Sequence, residues 1–178
     1  MTSFIIRSHT ERPPHPWKKD VNCAFCSIIN NKSPSKCVFE NDKVIAFLDI
    51  MPLRKGHTLV VPKVHYSRLS DLPPEYAAAI GEAVSKVAHA LTQALGNAAL
   101  NVVCNQEYAQ AVPHVHYHII PAPSYESSKT SPPSKTELSK DKGPPLTRRE
   151  MHRMEFEGRE ELDDEDGVAL VKLIRARL

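Results

Sequence analysis

Three histidines alternate with apolar residues past the middle of the chain, at His114, His116 and His118. Side chains of a β-strand point alternately to its two faces, so this spacing predicts a strand over residues 114–120 with all three imidazoles on one face. The apolar residues between them would then face a core. Histidine is a poor choice for covering a sheet three times over, so the regularity indicates a site at which imidazole does chemistry.

Such a histidine row suits two kinds of chemistry. In a metal site, neutral imidazole is a common ligand, and zinc accepts three imidazoles from one scaffold. In phosphoryl or nucleotidyl transfer, one imidazole attacks phosphorus while its neighbours donate hydrogen bonds to the phosphate oxygens. The spacing alone does not decide between the two.

Two cysteines, Cys23 and Cys26, form a CxxC pair ahead of the histidines. Alone, this pair is consistent with a zinc half-site, a redox pair or chance. No second CxxC occurs, so a zinc ion would need two more ligands, for which histidine is the available type. Cys37 and Cys104 lie in apolar segments and are predicted to be core residues. Because residues 1–20 lack the apolar stretch of an export signal, we expect a cytoplasmic or nuclear protein with reduced cysteines.

The composition excludes several classes of protein. The chain has 178 residues, of which 41% are hydrophobic and 25% charged, with a formal net charge of +2. This length fits one domain with appendages, and the apolar fraction excludes a wholly disordered chain. No apolar run approaches the roughly 20 residues that cross a bilayer. The nearly balanced charge gives no reason to expect strong binding to nucleic acid.

Composition also divides the chain into four parts. Residues 1–20 are rich in proline and charge and are predicted to be a flexible arm. Residues 21–121 carry the hydrophobic patterns of a domain. Residues 122–145 are rich in Ser, Lys and Pro, which is typical of a flexible linker. Residues 146–178 form a charged extension.

The patterned region predicts an α+β fold. Short β-rich runs predict strands over residues 36–40, 43–49, 57–62, 100–104 and 114–120. The longest helical pattern, Pro74–Leu95, places apolar residues at steps of three and four. Ser70 or Asp71 is predicted to cap this helix, and Gly96 to end it. We therefore expect an antiparallel sheet of about five strands packed with one long helix.

The C-terminal extension predicts a further helix. Acidic residues at 163–166 and arginines at 175 and 177 match the two ends of a helix dipole. Its apolar stripe consists of Val168, Leu170, Val171, Ile174 and Leu178. We expect this helix to dock on the domain or on a partner subunit; the alternative is a solvated charged tail.

With these motifs in place, the sequence resembles the histidine triad (HIT) family. Residues 114–120 fit its signature in full, His-φ-His-φ-His-φ-φ, where φ is apolar. The resemblance covers about residues 21–121 and includes, in family order, residues 44–50, residues 56–65, Asn105 and Gln110. It implies the HIT fold and the binding of small molecules that contain a purine mononucleotide.

The resemblance also implies roles for individual residues. His116 is expected to be the nucleophile that becomes nucleotidylated, and His118 to donate to the phosphate. His57 is a further active-site histidine. Asp49 is expected to accept hydrogen bonds from the ribose hydroxyls, and Asn105 to orient the phosphate or leaving group. The apolar clamp around the base would consist of Phe25, Ile28, Phe47 and Ile50.

One departure from the family pattern lies just before the triad. The family usually has a Gly-Gln-Ser/Thr stretch, whereas this chain has Ala109, Gln110 and Ala111. Gln110 keeps its expected place in substrate binding. The hydroxyl that commonly contacts the phosphate is missing at Ala111, an expected loss of about 1–2 kcal/mol. Alanine at 109 also narrows the backbone conformations open to this loop.

For the CxxC pair, the resemblance implies structural zinc. In a subset of the family such a pair binds zinc together with two histidines, whose matching positions are His65 and His114. Cys23, Cys26, His65 and His114 would form a closed Cys₂His₂ tetrahedron with no open position for water.

The favoured function is that of a zinc-containing, Hint-type homodimeric hydrolase of adenosine 5′-monophosphoramidates such as lysine-linked AMP. A Fhit-type hydrolase of diadenosine polyphosphates is the first alternative, since the triad does not separate the branches. A nucleotide-binding regulator with little turnover is the second, supported by Ala109 and Ala111. A metallohydrolase with all three triad histidines as ligands is disfavoured, because the upstream motifs already have another explanation.

Overall fold

A computed structural model describes residues 23–123 and 159–178. The predicted arm over residues 1–20 and nearly all of the predicted linker lie outside the described residues. The helices are α1 (Ala24–Ile29), α2 (Pro74–Leu95) and α3 (Asp164–Arg175), with a 3₁₀ turn at Leu69–Asp71. The strands are β1 (Cys37–Glu40), β2 (Val44–Leu48), β3 (Thr58–Pro62), β4 (Leu100–Cys104) and β5 (Tyr117–Pro121). None of the described helices is long and apolar enough to cross a membrane.

The five strands form one antiparallel sheet in the order β1-β2-β3-β5-β4. The β1–β2 hairpin turns at Asn41, whose side-chain oxygen accepts from the N–H groups of Lys43 (3.0 Å) and Val44 (2.7 Å). Such an Asx turn is a common use of asparagine at a hairpin. The α+β fold with about five strands and one long helix is therefore confirmed.

Helix α2 has the bounds that its periodicity predicts. Pro74 at its first position lacks an N–H that would have no partner there, and Gly96 ends the helix in the left-handed conformation, with φ at 61°. The predicted cap is wrong. Pro73 occupies the N-cap position without a side-chain hydrogen bond, while Ser70 and Asp71 lie within the preceding 3₁₀ turn, too far upstream to cap the helix.

The sheet is covered on both faces. One face packs against α2 and α3 around a main core that includes Val60, Val87 and Ile119. The other face carries a smaller core, in which Phe25 of α1 packs on Phe47 and other strand residues. All residues of β2 and β3 are buried, because both faces of these strands are covered. They are apolar except for Thr58, which is fully buried.

Strand β5 is shorter than predicted. The regular ladder begins at Tyr117, because the N–H of Val115 donates to the carbonyl of Tyr66 (2.7 Å) instead of to β3. The alternation of side chains nevertheless continues through this segment. Val115 and Ile119 are buried in the main core, so the three triad histidines belong to the opposite side of the chain.

The C-terminal helix docks on the domain, against α2 and β1. Asp163 caps it by accepting from the N–H groups of Glu165 and Asp166. Leu170 and Ile174 are buried against the main core. The predicted stripe is wrong at Val168 and Leu178, which are exposed, because the docked face of α3 is narrower than the sequence pattern.

Candidate functional site

A cavity of about 420 Å³ opens on the sheet face that carries the smaller core. That volume lies within the usual range of sites for small molecules. Its apolar lining includes all four residues predicted to clamp a base, Phe25, Ile28, Phe47 and Ile50. Its polar lining includes three predicted site residues, Asp49, His116 and His118. The sheet therefore brings an apolar slot and two imidazoles into one space.

Strand register places the histidines against this slot. Phe47 pairs with Leu59 across β2 and β3, and Leu59 pairs with His118 across β3 and β5. Directly opposed residues share a face of the sheet, so these three side chains form a row. The Phe25 ring of α1 completes the slot, with its centroid 5.7 Å from that of Phe47 and 5.1 Å from that of His116.

His116 is held in one tautomer by the chain itself. Its Nδ1 atom lies 2.6 Å from the carbonyl oxygen of His114, which can only accept. Nδ1 therefore carries the proton, and Nε2 keeps its lone pair. Burial lowers the pKa of His116, which is only 2% exposed. A neutral imidazole with a free Nε2 lone pair is the form that attacks phosphorus.

His118 has the complementary tautomer. The N–H of Leu53 donates to Nδ1 of His57 (3.1 Å), so the proton of His57 resides on Nε2. That Nε2–H faces Nδ1 of His118 at 3.0 Å and donates to it, which leaves His118 with its own proton on Nε2. Burial, followed by the neighbouring His116 and His57, lowers the pKa of His118 to about 3. His118 is therefore a neutral donor to an anion in the cavity.

Asp49 and His57 join the ends of β2 and β3. The N–H of Asp49 donates to the carbonyl of His57 (2.9 Å), and one oxygen of its carboxylate accepts from the N–H of Met51 (2.9 Å). The other oxygen lies 3.4 Å from Nδ1 of His57. Burial lowers the pKa of His57, and the charge of Asp49 partly offsets that effect. His57 does not itself line the described cavity; it orients His118, which does.

Two predicted contacts with substrate lie outside the cavity lining. Asn105 follows β4 and is half-buried. Gln110 is 4% exposed, and its amide is engaged by the protein: it donates to the carbonyls of Ser67 (2.9 Å) and His114 (3.5 Å) and accepts from the N–H of Glu107 (2.8 Å). Gln110 thus supports the carbonyl that holds His116.

The loop before the triad contains backbone that L-residues rarely adopt. Ala109 has φ at 59°, in the left-handed region that glycine adopts readily and other residues rarely do. This chain therefore has alanine at a position where the backbone favours the glycine that the family usually has. Ala111 lines the cavity, and no hydroxyl stands at that point of its wall.

A second cluster lies beside the cavity. Its ligand atoms, those of Cys23, Cys26, His65 and His114, all lie within 4.8 Å of one another. The distance from the sulfur of Cys26 to Nδ1 of His65 is 3.2 Å, and Nδ1 of His114 lies 3.5 Å from the sulfur of Cys23 and 3.6 Å from that of Cys26. Tetrahedral zinc with its usual bond lengths separates sulfur and nitrogen ligands by about 3.5 Å. The donor set and its spacing fit zinc.

His114 is prepared to be a metal ligand. Its Nε2–H donates to the carbonyl of Pro62 (2.9 Å), so its Nδ1 presents a lone pair to the cysteines. Burial lowers the pKa of His114 to about 4, and the neutral form is the one that binds metal. The cluster turns the His114 ring away from those of His116 and His118, so the triad does not form one three-histidine metal site.

A second group, Asp49, His57 and His118, also has ligand atoms within 4.8 Å of one another. The nitrogens of its two imidazoles are already hydrogen-bonded, however. Nδ1 of His57 accepts from the N–H of Leu53, and Nδ1 of His118 accepts from Nε2–H of His57. Three of the four imidazole nitrogens are therefore used within the protein, and the fourth carries a proton. This group fits catalysis better than metal binding.

Part of the cavity wall was not predicted from the sequence. Glu161, Leu162 and Asp164 of the C-terminal extension line the cavity, as does Lys36 next to β1. The sequence could indicate that the extension docks, but no pattern within it indicates which surface it borders. The N–H of Leu53, which sets the tautomers of two histidines, leaves no trace in a sequence because every residue except proline has such a group.

Comparison with known proteins gives consistent matches. A family model described as the HIT domain matches residues 30–124. An uncharacterised HIT-like protein of Methanocaldococcus jannaschii is 46% identical over 101 residues, which cover 56% of this chain and 78% of that protein. The adenosine 5′-monophosphoramidase of Schizosaccharomyces pombe is 41% identical over 108 residues, covering 60% and 78%. An adenylylsulfatase of Arabidopsis thaliana is 38% identical over 102 residues, covering 56% of this chain and 52% of that enzyme.

Solved structures agree in fold. A Hit-like protein from Bartonella henselae, involved in cell-cycle regulation, superposes with a TM-score of 0.65 and 31% identity, covering 90% of this chain and 99% of that one. A zinc-bound histidine triad protein from Mycobacterium smegmatis has a TM-score of 0.59 and 29% identity, covering 88% and 92%.

Proposed function

The chain belongs to the HIT domain family, and from that premise we propose that it is a nucleotide hydrolase with His116 as its nucleophile. The observation that carries this proposal is the pair of opposite tautomers in the cavity. His116 presents a lone pair on Nε2, while His118 presents a proton on Nε2. One imidazole is thus prepared to attack, and its neighbour to donate.

In the first proposed step, Nε2 of His116 attacks the α-phosphorus. A P–N bond to His116 forms and the bond from phosphorus to the leaving group breaks. The Nε2–H of His118 stabilises the negative charge that builds up on the phosphate oxygens or on the leaving atom. In the second step, water attacks phosphorus and releases a proton to solvent, the P–N bond breaks to return neutral His116, and the mononucleotide leaves.

The rest of the nucleotide is assigned to the same cavity. The purine would lie between the apolar side chains of Phe25, Ile28, Phe47 and Ile50, in the slot that continues to the histidines. Asp49 has a carboxylate oxygen at the cavity beside His57 and can accept from ribose hydroxyls. We assign Gln110 to supporting the His114 carbonyl, and Asn105 stays a predicted contact for the phosphate or leaving group.

The favoured substrates are adenosine 5′-monophosphoramidates such as lysine-linked AMP. This choice is supported by the similarity to the phosphoramidase of Schizosaccharomyces pombe, which covers more of this chain than the adenylylsulfatase match does. An amine leaving group needs a proton, which it takes from solvent, while the Nε2–H of neutral His118 donates a hydrogen bond to the departing nitrogen or to the phosphate. Fhit-type cleavage of diadenosine polyphosphates remains the alternative.

We propose structural zinc at Cys23, Cys26, His65 and His114. The spacing of these ligand atoms and the carbonyl partner of His114 support it, as does the zinc-bound relative from Mycobacterium smegmatis. Bound there, zinc would tie the start of α1 to the segment that carries His116. The site needs thiolates, which a reducing compartment such as the cytoplasm or nucleus maintains.

We also expect a homodimer, which sedimentation would test.

A second candidate function is that of a nucleotide-binding regulator with little turnover. The observation that favours it is the absence of a hydroxyl at Ala111 in the cavity wall, which removes a donor without closing the pocket.

A substrate panel separates these functions. AMP release is measured from adenosine 5′-phosphoramidate, adenylyl sulfate and a diadenosine polyphosphate, each with wild-type protein and with His116→Ala. The proposal expects the fastest release from the phosphoramidate, lost in the variant. Preference for the dinucleotide would assign the Fhit-type activity. AMP binding without turnover of any of the three would favour the regulator.

A further inference from the structure

The C-terminal extension forms part of the cavity although it is far from the histidines in sequence. Its residues Glu161, Leu162 and Asp164 line the same cavity as the apolar base clamp, His116 and His118. The backbone N–H of Leu162 donates to the carbonyl of Ile50 (2.8 Å), and Ile50 belongs to that clamp. The extension thus touches the pocket at its apolar end.

This wall is anchored by the helix that follows it. Leu170 and Ile174 of α3 are buried in the main core, at 3% and 0% exposure, and Asp163 caps the helix immediately after the wall. The ion pair between Lys36 and Asp164 (2.8 Å) lies on the surface and adds little. Burial of the helix therefore holds residues 159–164 in place.

Gly167 allows the helix to approach the wall closely. A Cβ atom at this position would lie 3.2 Å from Cε of Lys36 and 3.3 Å from a methyl group of Leu162. Both of those residues line the cavity. A methyl group at 167 would therefore push on two wall residues without itself reaching the cavity.

We propose that residues 159–164 are the outer wall of the base pocket and that Leu162 is a specificity-determining contact for the base. This inference rests on the proposed function, since it assigns the apolar end of the cavity to a nucleotide base. Leu162 adds an aliphatic side chain to a slot otherwise formed by α1, the sheet and the loops next to them. The phosphate is assigned to the histidines, and Leu162 contributes an apolar contact that suits the base.

The test compares Leu162→Ala with the matched control Leu173→Ala, a leucine on the exposed side of α3. Dissociation constants for AMP and for ribose 5-phosphate, the latter by competition where weak, are measured by calorimetry on the full chain. In Leu162→Ala we expect AMP binding to weaken about five- to tenfold, through lost apolar contact, and ribose 5-phosphate binding to stay within twofold. In Leu173→Ala we expect neither to change.

Leu162 also packs on the main core, so thermal unfolding of each variant is recorded. Gly167→Ala serves as the second variant, since its Cβ atom would require the Leu162 side chain to shift by a few tenths of an ångström without removing it. We expect it to weaken AMP binding less than Leu162→Ala does, and to leave ribose 5-phosphate binding unchanged. Unchanged AMP affinity in both variants, or an equal loss for AMP and ribose 5-phosphate, would overturn the inference. Wild-type protein that binds no AMP would instead overturn the proposed function.

Discussion

The Nδ1 atom of His116 lies 2.6 Å from the backbone carbonyl oxygen of His114. The same residue 114 turns its side chain to Cys23 and Cys26. One residue therefore belongs to both sites, by its main chain to the proposed nucleophile and by its side chain to the proposed zinc ligands. A change at the metal cluster is expected to reach the nucleophile through this shared residue.

Zinc content tests the cluster directly. Wild-type protein is expected to hold one zinc ion per chain by elemental analysis, and Cys26→Ser to hold little. Chelation should lower the unfolding temperature of the wild type but not that of the variant, because binding free energy at a closed site contributes to folding. Cys37→Ser, a change at a thiol outside the cluster, is the control and should retain the metal. Equal metal content in both variants would refute the assignment.

Restoring a hydroxyl to the cavity wall should increase turnover. Ala111→Thr places a donor where Ala111 now lines the cavity. One added hydrogen bond to the phosphate of the transition state is worth about 1 kcal/mol, or roughly fivefold in kcat/KM. Ala111→Val has the same shape without the hydroxyl and controls for bulk. The expectation fails if the two variants show the same kcat/KM.

Ala109→Gly should stabilise the protein. At φ 59° an L-residue carries about 1–2 kcal/mol of steric cost, which glycine removes. Glycine also gives the unfolded chain more conformational freedom, which lowers the free energy of unfolding by about 0.4–1 kcal/mol. The net increase in the free energy of unfolding is therefore expected to be about 0.5–1 kcal/mol. Urea unfolding measures it. Ala98→Gly, in an exposed loop outside the left-handed region, should lower the free energy of unfolding. A loss of stability in both variants would contradict the expected relief of strain at residue 109.

Stability should decline in acid partly through His118. Burial lowers the pKa of His118 from 6.5 to about 3 in the folded state. Between these two values the unfolded chain binds a proton that the folded protein does not, so stability is fully present above pH 6.5 and falls as pH decreases towards 3. His118→Gln removes this contribution. Free energies of unfolding at pH 7.5 and 5.0 should show a smaller acid loss in the variant; an equal loss would contradict the expectation.

Local patterns predicted individual elements better than their assembly. Helix α2 was predicted with its observed bounds, because a continuous apolar stripe, Pro74 and Gly96 are all local signals. The position of β5 between β3 and β4 has no such signal, since it depends on pairing between distant segments. Strand β5 also begins later than predicted, because the N–H of Val115 donates to the carbonyl of Tyr66 and not to the neighbouring strand.

The same distinction applies to the site. Periodicity and resemblance indicated the triad, Asp49 and the apolar clamp, and the fold brings His116, His118, Asp49 and the clamp to one cavity, while the His114 side chain faces the cysteines. Gln110 was expected at the substrate but supports the His114 carbonyl, a role that only its burial and partners reveal. The backbone N–H of Leu162, in the cavity wall, donates to the carbonyl of Ile50, which lies more than a hundred residues earlier in the chain. Such contacts depend on tertiary packing and cannot be inferred from spacing.

Attack of His116 Nε2 on phosphorus would leave a nucleotidylated protein, and capture of that species is the most direct test of the proposed nucleophile. Wild-type protein and His116→Ala are mixed with adenosine 5′-phosphoramidate, quenched in alkaline denaturant to preserve the P–N bond, and examined by intact mass and peptide mapping. We predict that the wild type gains one adenylyl group on the peptide containing His116, and that the variant gains none and releases no AMP. Continued AMP release by His116→Ala, or an adduct on another residue, would contradict the account.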